Sequence, residues 1–271
     1  MDRLPGGLWR DGRLFREYTL LPMNGVTELR IAEALISDAP TPCVVTEVLA
    51  AVVERVGDEP MTTDLARDLS VADRQYLMRR LKARYEGGGS WSTLRCSACS
   101  EPFDLKVPSE MPVKPAEPGY PFVEVEMRGS RSRFRIPNGG DQEVLAGVDD
   151  PGAAMELLLK RCALDGEAAL DPREIARVDE AMEFVFPEVA DRISASCPEC
   201  GNGHEIATDP YDIPAALPEA LFAEIHELAM NYHWSENAIL EMPRERRRMY
   251  LRLIDEAQGV RGGEPLLGGT R

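Results

Sequence analysis

Lysine, histidine and long apolar runs are all scarce in this 271-residue sequence. Lys82, Lys106, Lys114 and Lys160 are the only lysines, and 31 basic against 47 acidic residues leave a formal charge of −16. The average surface therefore repels free nucleic acid, which argues against it as a partner class. With three histidines and no G-x-S-x-G, P-loop or G-x-G-x-x-G motif, enzymes built on an activated nucleophile or a nucleotide have little to stand on. No small-molecule substrate is expected. The longest apolar stretch, around Val44 to Val53, is interrupted by Thr46 and Glu47 and falls well short of the ~20 residues that cross a bilayer. Asp2, Arg3, Arg10, Asp11, Arg13 and Arg16 leave the N-terminus without the apolar centre of a signal peptide. We expect no membrane segment and a cytoplasmic location.

What is present is a globular composition: 44% hydrophobic, 29% charged, 22 Gly and 21 Pro, enough for one large domain or two modest ones. Leu14 to Leu20 predicts a short strand before an Asn24-Gly25 turn. Thr41 to Val56 spaces Val44, Val45, Val48, Leu49, Val52 and Val53 as the stripe of one amphipathic helix closing at Gly57, with Cys43 packed at its start. Ser70 and Asp73 form an S-x-x-D start for a second helix, whose Leu77, Met78, Leu81 and Tyr85 share one side and which ends at Gly87-Gly88-Gly89.

From Ser92 the period shifts to alternation through Leu94, Phe103, Leu105 and Val107, the pattern of a hairpin. Pro108 to Pro121 reads as an extended linker. Phe122 to Met127 and Ser132 to Ile136 predict strands around Gly129-Ser130, and Asp141, Asp150 and Asp171 each lead a predicted helix, over 141–148, 150–164 and 171–185. Cys162 falls among the core positions of the second of these. Arg192 to Thr208 returns to a hairpin with Asn202-Gly203 as a turn signal. Leu221, Phe222, Ile225, Leu228 and Ala229 then share a helix face, Ser235 caps a short helix, and Pro243 opens a third.

Four of the six cysteines form two pairs, Cys96-Ser97-Ala98-Cys99 and Cys197-Pro198-Glu199-Cys200-Gly201. Two intervening residues let both thiolates of a pair turn toward one ion about 2.3 Å away, and two such corners complete a tetrahedral site. Cys96, Cys99, Cys197 and Cys200 are therefore the candidate ligands of one structural zinc per chain. With four thiolates the site is closed, leaving no position for an activated water. Redox pairs or disulfides fit less well, because nothing points to an oxidising compartment. Since 97 residues separate Cys99 from Cys197, the intervening segment must be an insertion whose ends return to the ribbon. His204, four residues beyond Cys200, is a spare donor, and a hairpin His is more often simply solvated.

The resulting expectation is an α+β, mainly helical chain. An N-terminal helical region (1–90) precedes a split four-cysteine zinc ribbon (91–108 plus 191–209), with a small α/β insert (118–190) between its knuckles. C-terminal helices (210–258) and a mobile tail (259–271) follow. His226-Glu227 begins like H-E-x-x-H, but Met230 stands where the second His is needed, and His233 lies about two turns along the axis. Arg244, Arg246, Arg247 and Arg248 form the one dense basic cluster, on a helix with Tyr250, Leu253 and Ile254. With His233 and Trp234 these residues are the candidate partner-binding surface. The alternative is a zinc-ribbon nucleic-acid-binding regulator using the same helix; a metalloenzyme centred on His226 or His233 ranks behind both.

Four stretches, within residues 20 to 258, carry a resemblance. They are Leu69-Ser70-Val71-Ala72-Asp73-Arg74-Gln75-Tyr76-Leu77; Arg133-Phe134-Arg135-Ile136-Pro137-Asn138-Gly139-Gly140-Asp141; the second knuckle; and Glu224-Ile225-His226-Glu227-Leu228-Ala229 through Tyr232-His233-Trp234-Ser235-Glu236 to Pro243 and the Arg run. In this order they resemble the bacteriophage baseplate protein family of T-even phages, with relatives in phage-tail-like contractile injection systems. The first knuckle, Cys-Ser-Ala-Cys-Ser, departs from that pattern in lacking Pro and Gly. The resemblance implies a non-enzymatic structural or assembly component at the hub end of a contractile tail baseplate. Its partners would be other baseplate, hub or tube proteins, and it could be incorporated into a phage-tail-like particle.

Overall fold

The computed structural model describes residues 2–86, 90–108, 110–127, 130–165, 170–211 and 217–259. In chain order these form β1 (Asp2–Arg10), β2 (Arg13–Leu20), α1 (Gly25–Leu35), α2 (Thr41–Val52), β3 (Val53–Val56), β4 (Glu59–Pro60), α3 (Thr63–Asp68) and α4 (Val71–Glu86). Next come β5 (Ser90–Arg95), β6 (Pro102–Val107), β7 (Val113–Lys114), β8 (Phe122–Met127), β9 (Ser130–Arg135), α5 (Gly139–Leu145), α6 (Pro151–Cys162) and α7 (Pro172–Val185). The chain continues with β10 (Glu188–Val189), β11 (Arg192–Ser196), β12 (Gly203–Ala207), α8 (Leu217–Tyr232), α9 (Glu236–Leu240) and α10 (Arg244–Ala257). Gly87 to Gly89, Gly129 of the expected turn and residues 260–271 of the expected tail lie outside the described residues.

The architecture is α+β and divides into two units, one of residues 1–20 and 38–213, the other of 21–37 and 214–271. The expected helical region 1–90 is thus divided: α1 groups with the C-terminal helices, and the remainder includes a four-stranded sheet in the order β1-β2-β3-β4. The sequence reading missed β1 because Leu4-Pro5-Gly6-Gly7 resembles a turn. Its ladder to β2 shifts register between Arg3 and Leu8, and there the buried carboxylate of Asp73 accepts the Gly6 and Gly7 N–H groups at 2.8 and 2.9 Å. A side chain on α4 thereby replaces the missing strand partner. The expected helix over Thr41 to Val56 also ends early. From Val53 the chain is extended and pairs with β2, Tyr18 facing Val56 and Leu20 facing Val53, a conformation that suits β-branched residues on a half-buried surface.

Asp73 also receives the Ser70 and Tyr120 hydroxyls. The Ser70 Oγ accepts the Asp73 N–H at 3.1 Å as an N-terminal cap does, while the carboxylate takes its backbone N–H donors from β1. Beside it Arg74 is fully buried and donates to the Ala66 and Pro42 carbonyls and the Thr46 hydroxyl. A Cβ on Gly139 would collide with the Arg74 guanidinium, so this close approach requires glycine. Ser70 bridges to Asn138, and the Gly139 N–H donates to Leu69 O at 3.0 Å. The first two resembling stretches therefore meet in one joint.

The insert is tied at its neck. Val113 pairs with Val189 and Lys114 with Glu188, so Pro108 to Pro121, expected to be a linker throughout, contributes a short strand and the buried Tyr120. The β8-β9 hairpin packs Val123, Val125, Met127 and Phe134 with Leu159, Cys162, Val178 and Val185 of α6 and α7. Asp150 and Asp171 cap their helices as expected, whereas α5 is capped by Asn138, and Asp141 stands three residues inside, completing the capping box.

In the second unit Leu221, Ile225 and Leu228 of α8 pack with Ile239, Leu240 and Ile254. Phe222, expected on that face, is 51% exposed. Ser235 caps α9 through its bond from the Ala238 N–H, and Pro243 stands just before α10 rather than within its first turn. Arg247 is completely buried, paired with Glu28 of α1 and Glu224 of α8, while Arg244 reaches Glu28 at 3.3 Å. Ile254 is in the core. Arg247 and Ile254, expected on a partner surface, are thus internal to this unit, because the carboxylates they need and the apolar face they complete lie on its neighbouring helices.

Candidate metal centre

Two antiparallel hairpins, β5-β6 and β11-β12, carry the cysteine pairs at their tips. Each tip folds by the same rule. The N–H of the first cysteine donates to a carbonyl five residues on, Cys96 to Glu101 and Cys197 to Asn202, both at 2.9 Å. The residue after the second cysteine donates back to the first, Ser100 to Cys96 O and Gly201 to Cys197 O, again at 2.9 Å. Closing that corner requires a left-handed residue, and Ser100 and Gly201 have φ of 64° and 74°.

The four sulfurs lie within 4.8 Å of one another. Cys96 Sγ is 3.6 Å from Cys200 Sγ, and Cys99 Sγ is 3.7 Å from Cys197 Sγ. Those spacings exceed the ~2.05 Å of a disulfide and match the edge of about 3.8 Å for four sulfurs held ~2.3 Å from one tetrahedral ion. Beneath them Phe103, Leu94 and Ala195 form a small apolar floor in which Cys96 and Cys197 are buried. Cys200 remains exposed.

The chemistry of the donor set agrees with the geometry. N–H groups of Cys99 and Ala98 hold the Cys96 thiol down at about 5, assisted by His204 and against the pull of burial. For Cys99 the Glu101 N–H favours the thiolate, yet burial and the neighbouring Cys200, Cys96 and Cys197 sulfurs drive the thiol up to about 12. Four crowded thiols resist ionising together unless a cation joins them. His204, the spare donor, lies against the Phe103 ring at 5.5 Å and within 3.3 Å of Asn202 Nδ2, a supporting rather than a ligating position.

Among the described residues this is the one cluster of His, Cys, Asp and Glu side chains placed to share an ion. His226 and His233 are exposed on the other unit and are not brought together with further donors. Cys162 is buried and its thiol pushed up to about 12, first by desolvation, in keeping with a core role; Cys43 is half-buried. Of the candidate partner residues, Arg246, Arg248, Leu253 and His233 are exposed. Trp234 stacks on Tyr232 at 4.5 Å and meets Tyr250 edge-on at 4.8 Å. Asn202, expected only as a turn residue, also accepts the Cys197 N–H and lies beside His204; sequence reasoning missed the left-handed Ser100, for which the pairing with Gly201 at the same offset was the available signal.

No protein-family model, curated protein or solved structure matches this chain. Among the described residues, no helix is long and apolar enough to cross a membrane.

Proposed function

We propose that this chain is a zinc-pinned structural or assembly component of a contractile, phage-tail-like baseplate, acting through protein contacts and not as an enzyme. The observation that carries the reading is the convergence of four thiols from two hairpins separated by the whole insert. As a four-thiolate zinc site it would form a split ribbon with no open coordination position, so its role is to hold the chain. Soft thiolates in a tetrahedral set suit zinc, which at such sites can contribute on the order of 10 kcal/mol to folding.

The baseplate assignment rests on the four resembling stretches. Two of them supply the joint of Ser70, Asp73, Arg74, Asn138 and Gly139, the third is a knuckle, and the fourth builds the α8-α10 core. Each serves packing, as suits a scaffold. Arg244 and Arg247 are consumed by Glu28 and Glu224, which weakens the case for a nucleic-acid helix. Particle purification from a strain lacking the gene is the test. Absent, truncated or unsheathed particles support an assembly role; a normal yield of sheathed particles overturns it.

A further inference from the structure

The four-stranded sheet holds an unusual concentration of positive charge for so acidic a chain. Arg3 of β1, Arg13 and Arg16 of β2 and Arg55 of β3 line one pocket of about 530 Å³ together with Leu14, Phe15, Glu17 and Asp58. In the ladder Arg3 stands opposite Glu17, and Arg55 opposite Thr19. Yet none of the four arginines is within 4.0 Å of a carboxylate among the described residues. Their neighbours are paired: Arg10 with Asp68 and Arg80 with Glu110.

Three of the four are nevertheless held in place. Arg16 Nε donates to Gly6 O at 2.9 Å, Arg55 Nη1 donates to Gly57 O at 3.2 Å, and Arg13 lies over the Phe15 ring at 5.3 Å. Each keeps further N–H donors for a ligand, since a guanidinium carries five. Pre-positioned arginines with unused donors suit carboxylates, which they grip in bidentate fashion.

We infer that this pocket docks an acidic segment of a protein partner. Arg13 to Thr19 extends over roughly 20 Å at ~3.3 Å per strand residue, too long for one phosphate or one small carboxylate. A continuous phosphate backbone would meet Glu17 and Asp58 as well as the arginines. A peptide rich in Asp and Glu with an occasional Lys satisfies both signs, and an apolar side chain can rest on Phe15. The choice of a protein occupant deepens the contact-based reading above and rests on it.

The test is fluorescence anisotropy with the full chain at low ionic strength. The probe is a labelled peptide of alternating Glu and Leu carrying one Lys, with a single-stranded oligonucleotide of similar length and inorganic phosphate as competing arms. Saturable binding of the peptide, weakened about tenfold or more in an R3A/R13A/R55A variant of unchanged thermal midpoint and only partly restored in R3K/R13K/R55K, which keeps the charge but not the bidentate fork, is expected. Arg16 is left intact because it braces Gly6. If the triple variant unfolds early, Arg55→Glu alone must weaken the peptide. Absence of peptide binding, equal binding by the Ala variant, or displacement of the peptide by the oligonucleotide or by phosphate overturns the inference. Failure here leaves the particle experiment standing, and normal particles in that experiment leave this binding result standing.

Discussion

Ser100 and Gly201 occupy the same corner of the two knuckles, each in the left-handed region and each donating its N–H to the carbonyl of the cysteine four residues before it. Glycine pays no steric penalty there, whereas serine does, by about 1 kcal/mol. Ser100→Gly should therefore raise the stability of the metal-loaded protein by roughly 0.5–1 kcal/mol, offset slightly by added freedom in the unfolded chain, and Gly201→Ala should lower it by a similar amount. Denaturant unfolding measures both, and a gain from Gly201→Ala would contradict the knuckle geometry.

The arginine run divides between core and surface. Arg247→Ala would strand Glu28, which is 2% exposed and whose carboxyl burial already pushes upward against the pull of Arg247 and Arg244. A loss of about 3–5 kcal/mol is expected. Arg246 is exposed, so Arg246→Ala should change stability by no more than about 0.5 kcal/mol. Urea denaturation of the two variants distinguishes this from a helix whose arginines are equivalent.

Asp141 gives a pH signature. Burial alone would raise its pKa, but Arg135, the Asn138 N–H and Arg161 hold it below the usual 3.8; Arg161 Nε donates at 2.7 Å and Arg135 Nη2 at 2.8 Å. A carboxyl depressed in the folded state contributes stability that is present above its unfolded pKa and disappears as pH falls through the folded one. Asp141→Asn should cost about 2 kcal/mol at neutral pH. The gap from the unsubstituted chain should close below pH ~4, as followed by urea titrations at several pH values. A gap independent of pH would show that the ion pairs contribute nothing.

How much of this was legible in the sequence depends on the range of each interaction. The hairpins at Cys96-Cys99 and Cys197-Cys200 announce themselves because spacing and alternation are local. Asp150 and Asp171 act within one helical turn, so their caps were legible too. The strand at Leu4 to Leu8 was not, because its decisive partner, Asp73, lies 67 and 66 residues from Gly6 and Gly7. Val53 to Val56 fits either helix or strand locally, and pairing with β2 decides. Arg247 looked like surface because Glu28 lies 219 residues away. The four cysteines were legible as a set; their common focus needed the insert's ends to pair at Val113 and Val189.

Metal analysis of the full chain, purified under reducing conditions without added metal, tests the pinning of the two hairpins most directly. One zinc per chain is expected, lost in a Cys96→Ser, Cys197→Ser double variant together with cooperative unfolding of the hairpins. A chain that carries no zinc, or keeps it after both substitutions, would contradict the four-thiolate site.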